Sequence, residues 1–495
     1  IPSFSLTSSR NMQKSAVQQL VDLIAQAAKE IEADVATQLP GATITDINLP
    51  VVAPEDNLET TPKRRAALRA LQAATHQLIA TLTPASAYSA ETYLSFYHKT
   101  AIDTVLGARI ADLIHSIDPD SSKGGVHVEV LAKMACMEPR KLAHILRFLA
   151  LRNIFCELTE NHWANNRHSL PLCTDSSNSI VNSLGHIKEE ISLPALIELP
   201  KLLLDKTQDG ALSWDVHNSA FQNYYKPGCD FFEFLAKSEG GYRAERFGKA
   251  MVRGCSILIF AMPLRNFVLT QQIAICGFGH QLEMTQAIGS GASVYKAFDW
   301  HKLGLKGTLI DVGGGVGAAA YAVSSYLPGW KVVVQDRAEV ITDGKEIGST
   351  ANLEFEEADF FKSQPAHRSG EADAYFLRHV LHDWPFESCS QILSHLRKAA
   401  KPTTSLLICE SVLSPPLVDP NSPVLSNGGM ASASTYFRNL SMMTLLNAEE
   451  RSHAEFAEIF KSSGWKLQST TPLATLSDYF ILEGIPDPSW ETCDA

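Results

Sequence analysis

The chain has 495 residues, of which 45% are hydrophobic and 19% charged, with a formal net charge of −12. That length exceeds what one hydrophobic core serves, so two or three domains are expected, and the composition excludes wholesale disorder. The acidic balance argues against nucleic acid, because a phosphate backbone is met by a basic face.

The first residues, IPSFSLTSSR, show no basic segment followed by an apolar one, so no secretory signal is read. From Asn11 to about Leu39 apolar residues recur at helical spacing (Val17, Leu20, Val21, Ile24, Ala27, Ile31), and a second helix is expected from Lys63 to about Leu82. The intervening GATITDINLPVVAPEDNLETTP, rich in Pro, Asn, Asp and Thr, reads as a linker. From about Val105 to Leu172 the rhythm is that of a winged helix: a helix through Ile114, paired helices over Val128–Met134 and Pro139–Leu151, and a hairpin wing over Phe155–Trp163. The second of the pair, PRKLAHILRFLALRN, is expected to be apolar on the face that would meet bases, which favours dimerisation or scaffolding over DNA reading. The charge-poor run Cys255–His280 approaches membrane-spanning length, but Pro263, Arg265, Asn266, Gln271 and Gln272 interrupt it. A buried or dimer-facing helical segment is expected there, and no membrane association.

The 9 cysteines form no CxxC pair and no close Cys/His cluster, which fits reduced thiols in a cytoplasmic protein and argues against a zinc site.

After about Trp300, short apolar runs alternate with helical stretches: GTLIDV, KVVVQD, LEFEEAD, DAYFLRHV and TSLLICESVL. This alternation predicts a parallel, doubly wound α/β sheet of Rossmann-like type. The expected organisation is a helical arm over 1–100, a winged-helix dimerisation domain over 101–235, a helical connector and insertion over 236–300, and the catalytic domain over 301–495.

In LIDVGGGVGAAA a strand enters a glycine loop and then a helix; Gly313, Gly315 and Ala318 give a G-x-G-x-x-A spacing. Alone, this fits S-adenosylmethionine, NAD or a flavin. Asp336, ending VVVQD about twenty residues on, suits ribose hydroxyls. Asp311, just before the glycines, would repel a pyrophosphate but complements a sulfonium and an ammonium, which favours S-adenosylmethionine. EEADFF places Asp359 and Phe360 where an adenine amino group and ring can be held. Each aspartate taken singly is also readable as a loop or capping acid.

The next strand leads into YFLRHVLHDWPFESC, with a His in the crevice at the carboxyl end of a sheet strand, where ligands bind in such folds. Together with LLICESVL and NAEERSHAEF, the segment LRHVLHDW resembles the cation-independent class I O-methyltransferases, the group of plant caffeic acid and fungal sterigmatocystin O-methyltransferases, over about Ala101 to Glu483. The resemblance implies S-adenosylmethionine as cofactor, no metal, and His382 as general base flanked by Glu410 and Glu450, with Asp383 beside it and Arg378 near the adenosine. It also implies a homodimer built through the N-terminal domain. The acceptor would be a hydroxyl, phenolic, enolic or N-hydroxyl, on an aromatic, alkaloid or polyketide metabolite. Carboxylates around His382 would raise its pKa and set a rate optimum above pH 7. Candidate acceptor contacts are Asp383, Trp384, Met443, Asn447 and Phe232, with Phe221, Tyr224, Tyr225, Phe231 and Met442 nearby, of which at most half are expected to touch substrate.

The sequence departs from that family's pattern in two places, a longer arm before about Ala85 and the apolar run near Cys255–Gln281. Three other readings stay open: a pericyclase that keeps S-adenosylmethionine as an electrostatic element, a non-catalytic winged-helix dimer, and an NAD-linked oxidoreductase.

Overall fold

The computed structural model of the chain describes residues 14–58, 61–207, 210–257, 292–347, 352–473 and 478–490. Residues 258–280 of the apolar run lie outside them, so the expectation placed there is untested. No helix among the described residues is long and apolar enough to cross a membrane.

The arm folds as two long helices, Ala16–Gln38 and Pro62–Leu82, packed along one another. Each begins where a hydroxyl meets an otherwise unpaired amide. Ser15 accepts from Gln18 N and Thr61 from Arg64 N, with Pro62 at the first helical position, where its missing N–H costs nothing. The segment between them is not a loose tether. Arg167 pairs with Glu55 and Asp56 of its short 3-10 turn, and the Arg167 amide donates to the Ile47 carbonyl.

Next come the helices Phe96–Gly107 and Ile110–Ile117, broken by Arg109 at φ 53°. The strand β1 (Val126–His127), the helices Val128–Met134 and Pro139–Ala150, and the strands β2 (Cys156–Thr159) and β3 (His162–Ala164) complete a winged-helix arrangement, the strands pairing antiparallel in the order β1-β3-β2. One expectation is overturned here. The helix Pro139–Ala150 turns Leu142, Ala143, Leu146 and Leu149 inward, while Arg140, Lys141 and His144 face solvent. An apolar stripe on a surface helix must bury itself against its neighbours, and here it packs against Ile110, Ile114, Leu131 and Trp163.

The C-terminal domain is a doubly wound sheet of strands β4 (Gly307–Val312), β5 (Trp330–Asp336), β6 (Leu353–Glu357), β7 (Ala374–Arg378), β8 (Ser405–Leu413), β10 (Trp465–Pro472) and β11 (Tyr479–Pro486), in the order β10-β11-β8-β7-β4-β5-β6, with the two-residue β9 (Arg451–Ser452) beside the end of β8. Along β4 and β5 successive residues go to opposite faces. Leu309, Val332 and Val334 join the layer under helix Ala318–Ser324, while Ile310, Val312 and Val333 join the layer under helices Phe386–Ala399 and His453–Ser462. Burial on both faces is why these strands read as unbroken apolar runs. The sheet is mixed rather than wholly parallel as expected, since β11 runs antiparallel to both β8 and β10. Its parallel part, β6-β5-β4-β7-β8, gathers the strand carboxyl ends, and every titratable residue of interest, along one edge.

Candidate active site

Two strand ends build the first half of the site. After β4 the chain turns through Gly313, whose φ is 68° and whose added Cβ would come 2.9 Å from Val380 Cγ2. The Gly313 and Gly314 amides donate to the Gln335 carbonyl of β5 at 2.8 and 3.1 Å, and the Gly315 amide donates to Asp336 Oδ2 at 2.8 Å. At Gly314 a Cβ would stand 2.6 Å from Asp311 Oδ2, so only glycine lets the loop pass over that carboxylate.

Asp311 is fully buried and neither of its oxygens accepts a hydrogen bond of ordinary geometry, the Ala320 backbone giving only minor stabilisation. Burial pushes its carboxyl up to about 7, against the attraction of Arg378 and with added repulsion from Asp336. Asp336 is also held above the ordinary aspartate value by burial, partly offset by the amides of Arg337 and Gly315. Asp359 sits on the loop after β6. There the Phe361 amide and the Lys362 ammonium outweigh burial and hold its carboxyl below the usual value. Phe360 lies beside Gly313 and 6.0 Å from Trp384, ring centre to ring centre.

The second half is centred on His382. Its Nδ1 lies 2.9 Å from Glu450 Oε1 and 3.8 Å from Glu410 Oε2, and its Nε2 lies 3.3 Å from Asp383 Oδ1. Burial alone would lower the imidazole pKa, but Glu410, Asp383 and Glu450 outweigh it and raise it to about 10. The same crowding, led by desolvation, raises Glu410 to about 7 and Asp383 to about 6. Glu410 Oε1 accepts from the amides of Val380 and Leu381 at 2.9 and 3.0 Å, which fixes the turn carrying His382. His382, Glu410 and Glu450 offer ligand atoms within 4.8 Å of one another, close enough to share a cation. Hydrogen bonds already engage Nδ1 and one oxygen of each glutamate, the arrangement of an oriented imidazole.

Four residues that sequence reasoning passed over complete this half. Arg451 is buried and donates to the Leu381 and Trp384 carbonyls at 2.8 and 2.5 Å, gripping the turn on both sides of His382. Arg438 bonds Ser411, lies 3.8 Å from Glu450 Oε1 and stacks its guanidinium 4.7 Å from the Tyr479 ring centre. His379, at φ 54°, lies nearly parallel to His382 with ring centres 5.2 Å apart and meets the Tyr479 hydroxyl through Nε2. Burial first, then the neighbouring cations, hold its pKa well below the ordinary value, so it stays neutral beside a charged neighbour. The pair His379 and His382, three apart on one short turn, was the signal available in the sequence.

The remaining acceptor candidates are spread out. Trp384 packs 4.7 Å from Phe361. Phe232 lies under the Arg337 guanidinium at 5.7 Å, one residue beyond Asp336. Asn447 ends the helix Ala433–Leu446 at φ 51° and spends its amide protons on the Ser213 and Asp215 carbonyls, while Met443 is half-buried on that helix. Phe221 and Phe231 are core, packed with Leu235, Leu445 and Leu446.

Residues 268–466 match the O-methyltransferase domain family. The O-methyltransferase tpcA of Aspergillus fumigatus is 30% identical over 424 residues, which cover 81% of this chain and 83% of that protein. This chain belongs to the O-methyltransferase family. Among solved structures, human N-acetylserotonin methyltransferase in complex with S-adenosylmethionine superposes with a TM-score of 0.58 at 20% identity, covering 82% of this chain and 99% of that one. The O-methyltransferase NcsB1 of neocarzinostatin biosynthesis, with S-adenosylhomocysteine and 1,4-dihydroxy-2-naphthoic acid, gives 0.53 at 19%, covering 80% and 98%. These two likenesses bear on the fold. The protein is thus an S-adenosylmethionine-dependent O-methyltransferase enzyme.

Proposed function

We propose that this O-methyltransferase methylates a hydroxyl of an aromatic, alkaloid or polyketide secondary metabolite, with His382 as general base. The observation that carries the reading is the buried imidazole whose Nδ1 is held by Glu450 at 2.9 Å, which leaves Nε2 as the nitrogen able to take a proton.

The residues around the glycine loop fit the cofactor. Asp311, buried and accepting no hydrogen bond of ordinary geometry, would complement a cationic group at close range, and Asp336, beside the Gly315 amide, would meet the ribose. Asp359 and Phe360 would hold the adenine, with Arg378 nearby, balancing Asp311. When bound, S-adenosylmethionine supplies an electrophilic methyl group on a sulfonium. The chain's own work is to orient the acceptor and to remove its proton. Orientation falls to Trp384, Met443 and Phe232, with Asn447 fixing the 213–215 loop against the end of the helix that carries Met443.

At rest the raised pKa keeps His382 protonated near neutrality, and the partly exposed Asp383, 3.3 Å from Nε2, can accept that proton and release it to solvent. The neutral imidazole then accepts the acceptor's proton while Glu450 and Glu410 stabilise the imidazolium that forms. Because the histidine pKa is raised, the base form grows as pH rises, and the rate climbs above pH 7.

Dimerisation is part of this reading. Helix Ala85–Leu94 buries none of its residues, and Tyr93, Leu94, Phe96 and Tyr97 lie exposed along it and just beyond, an apolar face that a second copy would cover. A cytoplasmic setting is supported by the free cysteines among the described residues. The test is methyl transfer to a panel of phenols, hydroxyindoles and N-hydroxy compounds, with S-adenosylhomocysteine binding measured in parallel on wild type and His382→Ala. Binding by both proteins with transfer by wild type alone is expected. Binding by both with transfer by neither would move the assignment to a repurposed, non-methylating scaffold.

A further inference from the structure

The arm helix Pro62–Leu82 lies outside the residues matched by the O-methyltransferase domain, yet it reaches the edge of the sheet where the site is built. Its Arg69 spreads one guanidinium over four acceptors: Asp478 Oδ1 at 3.1 Å, the Ala431 and Asn427 carbonyls at 3.1 Å each, and Ser432 Oγ at 2.9 Å. Arg65, one turn earlier, donates to the Leu473 carbonyl at 3.2 Å. No other pair of arm residues reaches so far along the chain among the described hydrogen bonds, and the Arg69 partners adjoin the segments that lead to the site.

On one side, the Asp478 carbonyl accepts from the Val412 amide at 2.9 Å, which starts β11 in register with β8, so that Tyr479 stands opposite Ser411 and Phe480 opposite Glu410. Tyr479 is the residue that meets His379, which in turn lies against His382. On the other side, Asn427 and Ser432 close the turn that launches helix Ala433–Leu446. That helix carries Arg438, which faces Glu450. An open pocket of about 360 Å³ beside these contacts, lined by Arg69, Ala73, Leu425, Asn427 and Asp478, leaves room for both segments to shift if the arginine is lost.

We propose that the arm is a positioning element of the active site, with Arg69 tying the start of β11 to the turn before helix Ala433–Leu446 and thereby fixing Tyr479 and Arg438 about the His379, His382 and Glu450 constellation. Arg69 touches no reacting atom and acts through these two residues. The inference rests on His382 as the base, and its test is built to fail separately from that reading.

The experiment compares wild type, Arg69→Ala, Asp478→Asn, the double variant, Arg64→Ala and His382→Ala in kcat, KM, the pH dependence of kcat, S-adenosylhomocysteine affinity and Tm. Arg64 is the control, since it is buried and bonds only within the arm, donating to the Glu55 carbonyl at 2.8 Å beside Asp34. Arg69→Ala is expected to lower kcat about tenfold to a hundredfold, as a small misplacement of catalytic groups does, and to displace the pH limb. S-adenosylhomocysteine affinity should stay within about twofold, because the described partners of Arg69, Asp478, Ala431, Asn427 and Ser432, lie outside the glycine loop. Asp478→Asn should behave alike, with the double variant little worse than either single one. Arg64→Ala should lower Tm while keeping the wild-type pH profile.

A wild-type kcat and pH profile in Arg69→Ala overturns the proposal. So does a loss of kcat that merely follows Tm equally in Arg69→Ala and Arg64→Ala. Should Arg69→Ala fail to fold, Arg69→Lys, which keeps the pair with Asp478 but not the spread over the turn, is expected to give an intermediate kcat, and an unchanged one overturns the proposal equally. If His382→Ala keeps full activity the base assignment falls, and the arm is then judged by the unequal effects of Arg69→Ala and Arg64→Ala on kcat, which hold whichever group takes the proton.

Discussion

The two halves of the site hold their charges in opposite ways. On the β4 and β5 side a buried carboxylate, Asp311, accepts no hydrogen bond of ordinary geometry, and the loop above it is held by the Gln335 carbonyl and the Asp336 carboxylate. On the β7 and β8 side His382 is surrounded by Glu450, Glu410 and Asp383, and the turn that carries it is held by Glu410 and Arg451. The first half leaves a buried carboxylate poorly hydrogen-bonded, with Arg378 as its attracting cation. The second is complete before any acceptor arrives. Under the proposed assignments, the former would match a methyl donor that enters and leaves in different charge states, and the latter a base that must not move.

The largest effect that tests this contrast is on the second half. His382→Ala should lower kcat by about two to four orders of magnitude, with S-adenosylhomocysteine affinity unchanged in a titration. Next is Asp311→Asn, nearly isosteric. It should weaken S-adenosylmethionine more than S-adenosylhomocysteine, which lacks the sulfonium charge, and raise Tm, because a buried carboxylate whose desolvation outweighs the attraction of Arg378 is removed. Equal weakening of both ligands in calorimetry would show that Asp311 does not sense that charge. Gly314→Ala, whose new Cβ meets Asp311 Oδ2 at 2.6 Å, should by contrast weaken both ligands alike.

A pH series on Glu450→Gln gives a smaller, directional effect. Removing one of the carboxylates that raise the His382 pKa moves the limb of the rate profile to lower pH, while the maximum falls because the ring loses its orientation. A limb that stays in place would mean that another group titrates there. The smallest effect belongs to Lys362→Ala, an exposed partner of Asp359, which should change activity less than about twofold.

The contrast also explains what was legible in the sequence. Strands buried on both faces write themselves as apolar runs ending in acids, so β4 to β8 and the aspartates at their ends were readable. The antiparallel pair at the far edge was not, since β10 reads WKLQSTTP, half-exposed and short of branched apolar residues. Arg451 stood inside a motif already singled out, but its acceptors lie about 70 residues back along the chain, and only the folded turn brings them together. Helix Pro139–Ala150 shows a different failure: the apolar stripe was recognised, but which way it turns is decided by its neighbours. The left-handed backbone of His379 has no composition signal at all, because it is imposed by the two amides that must reach Glu410.

The grip of Arg451 has a consequence for how such a site diversifies. It takes hold of the Leu381 and Trp384 carbonyls and leaves their side chains out of the bargain. Every residue of that turn has a carbonyl, so exchanging the indole of Trp384 would alter its packing on Phe360 and Phe361 and leave the grip beside the imidazole in place. Saturation mutagenesis at position 384, with the pH limb of the rate followed alongside, tests whether acceptor range varies apart from chemistry in such an enzyme.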